Sequence, residues 1–117
     1  MTNGERKART QAFALRIIKL VATLPRQGAS GVIARQILRS GTSVGANYRA
    51  ACRARSRADF VAKLAIVEEE TDETLYWLEL LVKGSLVKAE KLQPLMKEVD
   101  ELAAIITAAR KTTQTRG

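Results

Sequence analysis

Between Ser56 and Gly84 the chain repeats one interval: Phe60, Leu64, Val67, Thr71, Leu75, Leu78 and Val82 follow one another at steps of three and four. That interval places all seven on one side of an α-helix, and no strand can satisfy it, because a strand alternates its faces every two residues. The stretch amounts to about six helical turns. A helix this long with a single apolar stripe must lay that stripe against other helices, so the pattern limits the fold to packed helices. Its ends are marked as well. Ser56 with Asp59 three residues on is a variant capping box, and Gly84 is a C-terminal stop.

Three further segments follow the same rule. The first predicted helix runs from about Ala8 to Leu24 on Phe13, Ile17, Leu20, Val21 and Leu24, and Pro25 ends it. The second starts near Ser30 or Gly31 and carries Ile33, Ile37, Val44 and Tyr48. The fourth starts between Ala89 and Gln93 and ends near Lys111, with Leu92, Leu95, Val99, Leu102, Ile106 and Ala109 as its stripe. Pro94 belongs in a first turn, which favours the later start. Long helices joined by short connections make antiparallel neighbours, so the expected fold is all-α: an up-down-up-down four-helix bundle over 8–111. Residues 1–7 are expected to be a flexible lead-in and 112–117 a frayed tail.

Composition removes whole classes of function. There is no histidine, hence neither the commonest general base nor an imidazole metal ligand, and one cysteine, Cys52, cannot support a tetrahedral zinc site or an internal disulfide. No metal, no cofactor and no enzymatic activity are expected. The expected setting is cytoplasmic and free of membrane, since no apolar run of spanning length and no secretory h-region is visible. Charge is divided unevenly. Residues 1–60 carry 12 Lys/Arg against 2 acids, a net of +10, whereas 61–117 carry 8 against 10, a net of −2. A basic half joined to a mildly acidic half points to a polyanionic partner or to a self-complementary assembly.

The segment "LRSGTSVGANYRAACRARSRADF", residues 38–60, concentrates these features. Glycine costs a helix interior about 1 kcal/mol relative to alanine, yet Gly41 and Gly45 stand four apart within an otherwise helical pattern. With Ala34 and Cys52 they make a small-residue flank, which serves either a subunit contact or tight packing inside the bundle. On an ideal helix from 32 to 54, Arg35, Arg39, Arg49 and Arg53 share a sector of about 80° opposite Ile37, Val44 and Tyr48. With Arg55 and Arg57 at the next turn they form either a phosphate-binding stripe or a solvated face neutralised by a neighbour's acids. Ser43, Asn47 and Ala50 line a further edge, and Asn47 is expected to make a structural hydrogen bond towards Glu73. The run "EEETDE", 68–73, reads as a solvated acidic face or the counterpart of an arginine stripe. Tyr76 lies nearly opposite the seam and Trp77 on its flank, where each serves an interface or ordinary packing.

Ser43-Val44, Asn47-Tyr48, Arg55-Ser56, Asp59-Phe60, Leu64, Ile66 and Glu73 fall at the spacing of a known pattern. The chain resembles the four-helix-bundle family of 23S rRNA intervening-sequence proteins, over residues 8–111. That family is similar in shape to the accessory protein of diversity-generating retroelements, which binds a reverse transcriptase. The resemblance implies a ring-like homo-oligomer, a pentamer, with a basic surface. Ala50 stands where the family usually has glutamate, and Cys52, Glu68 and Glu69 depart from its pattern.

Two function classes follow. The first is a non-enzymatic, self-assembling bundle that binds RNA or DNA backbone through Arg35, Arg39, Arg49, Arg53, Arg55 and Arg57, with Gly41, Gly45, Tyr76 and Trp77 at subunit contacts. With aromatics at 4%, stacking on bases is not its mode. The second is an adaptor or scaffold that docks a nucleic-acid-processing protein such as a reverse transcriptase.

Overall fold

The computed structural model describes residues 1–116. Four helices succeed one another: α1 (Asn3–Ala22), α2 (Gly28–Ala51), α3 (Arg57–Lys83) and α4 (Ala89–Thr115), with no strand among the described residues. A 27-residue helix is about 40 Å long, and the molecule measures 46 × 21 × 19 Å, so α3 and α4 run most of its length. Successive helices pack side by side and antiparallel, as an up-down-up-down bundle requires. The core is the four stripes brought together. Phe13 and Ile17, Ile37, Val44 and Tyr48, Leu64, Val67 and Leu78, and Leu92, Leu102 and Ile106 are all essentially inaccessible.

α3 starts and stops as its sequence prescribes. The Ser56 hydroxyl accepts from the Asp59 N–H at 3.0 Å, and the Gly84 N–H donates to the Leu80 carbonyl at 2.9 Å. The other boundaries move. α1 begins at Asn3, not Ala8, because Thr2 and Glu5 close a full capping box (3.0 and 2.9 Å). The segment read as a flexible lead-in therefore forms its first turns. α4 begins at Ala89, at the early end of its predicted range, and Pro94 lies in the second turn on the exposed side, where solvent takes the place of the missing bond. It also continues to Thr115, through the segment expected to fray.

The close approach of α1 and α2 accounts for a glycine. A Cβ on Gly41 would lie 2.7 and 2.9 Å from the γ carbons of Ile17, so only glycine lets Ile17 reach its buried place. Its helix cost is offset by packing within the chain. Gly45, one turn on, sits against Thr10 of α1 and is partly open to solvent.

Between α2 and α3 a buried hydroxyl pair joins two otherwise apolar faces: Thr74 donates to Ser40 Oγ at 3.0 Å, and Ser40 donates to the Gln36 carbonyl at 2.9 Å. Between α1 and α4 the bond is ionic. The Arg9 guanidinium takes Glu98 with two nitrogens, at 3.0 and 2.7 Å, and Glu101 at 3.3 Å, which raises the pKa of Arg9, chiefly through the Glu98 hydrogen bonds.

Candidate nucleic-acid interface

The six arginines of the predicted stripe do not form one surface. Helix α2 ends at Ala51, because the Arg53 and Ala54 N–H groups turn back to the Ala50 and Ala51 carbonyls (3.0 Å each) before the Ser56 cap. Arg53 therefore lies in the connection rather than in a helix continuous to 54. Arg35 sits at the other end of α2, beside Arg26 in a cleft next to Pro25. It is about 21 Å from Arg49 along the helix.

Arg39 is committed within the chain. Its guanidinium crosses to α3, donating to Glu70 at 3.3 Å and more closely to Glu73. The Glu73 carboxylate also accepts from the Trp77 indole N–H at 3.2 Å. These two donors, Arg39 foremost, hold the Glu73 carboxyl below its ordinary pKa. The acids read as the counterpart of an arginine stripe do neutralise an arginine, but one of their own chain. Likewise Glu68 accepts from Arg110 of α4. Asn47 does not reach Glu73; it donates to the Ser43 carbonyl at 2.9 Å, and Ser43 donates to the Arg39 carbonyl at 2.6 Å. Both polar side chains are spent along their own helix, because α3 meets α2 through Arg39 and Ser40 instead.

Arg49 and Arg53 are placed differently. The small residues of α1 and α2 leave a groove of about 600 Å³ between the two helices. Its floor and walls are Ala8, Ala14, Thr42, Gly45, Ala46 and Cys52, and its charged residues are Lys7, Arg49 and Arg53, with no carboxylate among the described residues of the lining. All three cations are exposed. The sequence reading missed Lys7, which it placed in the lead-in. The signal for it was the run Lys7, Gln11, Ala14, all on one side of an α1 that starts early. Around the bundle end, Arg55 and Arg57 continue the basic surface. The Asp59 carboxylate is turned to the Arg55 backbone N–H and to Lys63, and Arg57 donates to the Arg116 carbonyl at 2.8 Å.

The residues expected at subunit contacts also separate. Gly41 is filled by Ile17 of the same chain, Gly45 opens on the groove, and Trp77 is half-buried with its N–H bound to Glu73. Tyr76 stands out from α3, 55% exposed, edge-on to Trp77 with ring centres 5.1 Å apart. Other large apolar side chains are open to solvent: Leu15, Ile18 and Leu38 on α1 and α2, and, with Tyr76, Ile66 on α3, about three turns away along that helix. Among the described residues no helix is long and apolar enough to cross a membrane.

Comparison with known proteins agrees with this architecture. The family described as 23S rRNA-intervening sequence protein matches residues 5–108. The chain is also similar to a crystallised protein of unknown function from the S23 ribosomal protein family of Bacteroides thetaiotaomicron, with a TM-score of 0.88 at 39% identity, over 95% of this chain and 99% of that one. No curated protein matches.

Proposed function

The chain belongs to the 23S rRNA-intervening sequence protein family, and from that premise we propose that it is a non-enzymatic, self-assembling bundle that binds nucleic-acid backbone through the α1–α2 groove. One observation carries the reading. On α2 the arginine facing α3 is neutralised by Glu70 and Glu73, whereas Arg49 of α2 and Arg53 of the connection after it join Lys7 in a groove whose lining holds no acid among the described residues. Exposed cations on rigid helices are suited to phosphate oxygens, which they bind by charge and by hydrogen bonding. None of the three aromatic side chains of α3, Phe60, Tyr76 and Trp77, lies in the groove, and its small residues admit a backbone without reading base edges. The binding is accordingly to RNA or DNA without sequence preference. Arg55 and Arg57 extend the same footprint around the bundle end, and Arg35 adds to it at a distance.

The self-assembly part of the reading rests on the exposed apolar side chains of α1 and α2 and of α3. Leu15, Ile18 and Leu38 lie among cations, and Ile66 and Tyr76 lie among Glu69 and Asp72. Faces that are apolar at the centre and opposite in charge suit contacts between copies. The alternative, an adaptor docking a nucleic-acid-processing protein, draws on the same exposed Tyr76 and Ile66.

The test is fluorescence anisotropy with duplex RNA and duplex DNA of unrelated sequences across a salt series. The nucleic-acid reading expects comparable affinities for all of them, falling linearly on a log–log plot against salt. Absence of binding at low salt would contradict it and leave the adaptor.

A further inference from the structure

The end of the bundle where α1 begins and α4 finishes holds a second basic recess, separate from the groove. A cleft of about 540 Å³ opens there, with Asn3, Arg6, Thr112, Thr113 and Arg116 among its lining. An adjoining cleft of about 340 Å³ shares Asn3, Phe60 and Thr113 with it and adds Ser56 and Arg57. Among the described residues no carboxylate lines either cleft.

Arg6 is the informative residue. The other arginines that reach across to a neighbouring helix's side chains each end on a carboxylate: Arg9 on Glu98, Arg39 on Glu73, Arg110 on Glu68. Arg6 reaches from α1 to α2 and finds only neutral oxygens. Its Nη1 donates to Asn3 Oδ1 at 3.2 Å and to the Tyr48 hydroxyl at 3.4 Å, while Tyr48 itself donates to Asn3 at 3.0 Å. Its Nε is buried with no acceptor among the described residues. The Arg6 guanidinium is thus half-buried with no counter-charge, which is costly, and an anion in the cleft that Arg6 lines would neutralise it. Arg116, Thr112 and Thr113 line the same cleft as Arg6, and Arg57 lines the adjoining one, where its guanidinium donates to the Arg116 carbonyl at 2.8 Å. Guanidinium groups recognise tetrahedral oxyanions in pairs of parallel hydrogen bonds, and the Thr112 hydroxyl can donate to a remaining oxygen, whereas that of Thr113 already donates to the Ala109 carbonyl at 2.8 Å.

We propose that this cleft is an anion site for a phosphate monoester, with Arg6 as its fixed cation and Arg57 and Arg116 closing over it. The ligand is a phosphate dianion, either free or at the end of a nucleotide chain. The cleft that holds Arg6 shares no basic residue with the α1–α2 groove, and Arg57 alone belongs both to this site and to the footprint proposed around the bundle end.

The experiment is titration with inorganic phosphate, followed by amide chemical shifts and by calorimetry, on wild type, Arg6→Gln and Arg16→Gln. Arg16 is an equally charged, exposed arginine outside both clefts. The expected result is saturable binding with shifts at Asn3, Thr112 and Thr113, at least tenfold weaker in Arg6→Gln and unchanged in Arg16→Gln. Arg57→Gln, at an exposed position, carries the same direction of change should Arg6→Gln not fold. A 5′-phosphorylated single strand beside its 5′-hydroxyl counterpart separates the two sources: preference for the former assigns a chain end, and equal affinity assigns the free ion. Non-saturating shifts, or equal losses in Arg6→Gln and Arg16→Gln, would overturn the site whatever the groove does with duplexes.

Discussion

The guanidinium of Arg39 on α2 is bound to the carboxylate of Glu73 on α3, and this bond decides which arginines of α2 remain for a partner. It ties the basic half of the sequence to the acidic half within one chain. What it leaves over is a groove at the other edge of α2, bordered by Lys7, Arg49 and Arg53.

Removing Arg39 therefore affects stability and not polyanion binding. The pair is about half exposed on the arginine side, so Arg39→Gln is expected to cost less than about 1 kcal/mol in urea unfolding. Its affinity for duplex nucleic acid should stay within twofold of wild type. A loss as large as that from Arg49→Gln would place Arg39 in the interface.

The same pair makes stability depend on pH. Arg39 first, and then Trp77, lower the folded-state pKa of Glu73 below its ordinary value of 4.5. Its unfolded state then binds protons more readily than its folded state, so this contribution is fully present above about pH 4.5 and fades as pH falls through the lower folded value. Thermal melts from pH 7 to pH 3 should show the gap between wild type and Glu73→Gln closing on the acid side. A gap constant across that range would mean that Glu73 stabilises by packing alone.

Gly41→Ala adds a methyl where the γ carbons of Ile17 already stand 2.7 and 2.9 Å away. The gain of about 1 kcal/mol in helix propensity is outweighed by overpacking, for a net loss of about 1 kcal/mol in chemical denaturation. Gly41→Ala in an Ile17→Ala background should be neutral or stabilising, because the obstructing atoms are gone. Equal losses in both backgrounds would refute the steric account.

Self-assembly through unlike faces has a distinctive signature. Tyr76→Glu blocks the α3 face and Ile18→Glu the α1 face, so each variant alone should be monomeric by light scattering. Mixed, they retain one intact face of each kind and should form a one-to-one dimer. A monomeric wild type at tens of micromolar would contradict assembly, and an inert mixture would contradict the unlike-face arrangement.

Much of this fold is legible in the sequence because helix stripes and caps are local. The seven-residue stripe of α3, its Ser56 cap and its Gly84 stop all stand as the spacing requires. The α1 start escaped because Thr2 and Glu5 precede the first apolar residue of the stripe, so periodicity gives no sign there. The α2 end at Ala51 escaped because neither glycine nor proline marks it. The site is less legible for a different reason. An angle on one helix gives the side an arginine faces, but not which neighbour lies there. Arg39 and Arg49 differ by about 80° on ideal geometry, and that difference sends one to the acids of α3 and the other to the groove beside α1. Lys7 joined the site only once α1 was extended to Asn3, and the Ser40–Thr74 hydroxyl pair needed the helices in register.

The most direct measurement is the salt dependence of duplex RNA binding by wild type and by a Lys7/Arg49/Arg53→Gln variant, with Arg39→Gln as the charge-loss control and light scattering to confirm that assembly is unchanged. If the groove is the interface, the slope of log affinity against log salt should flatten by about 2 to 3 in the triple variant and stay unchanged in the control. Equal slopes in all three proteins would contradict the account.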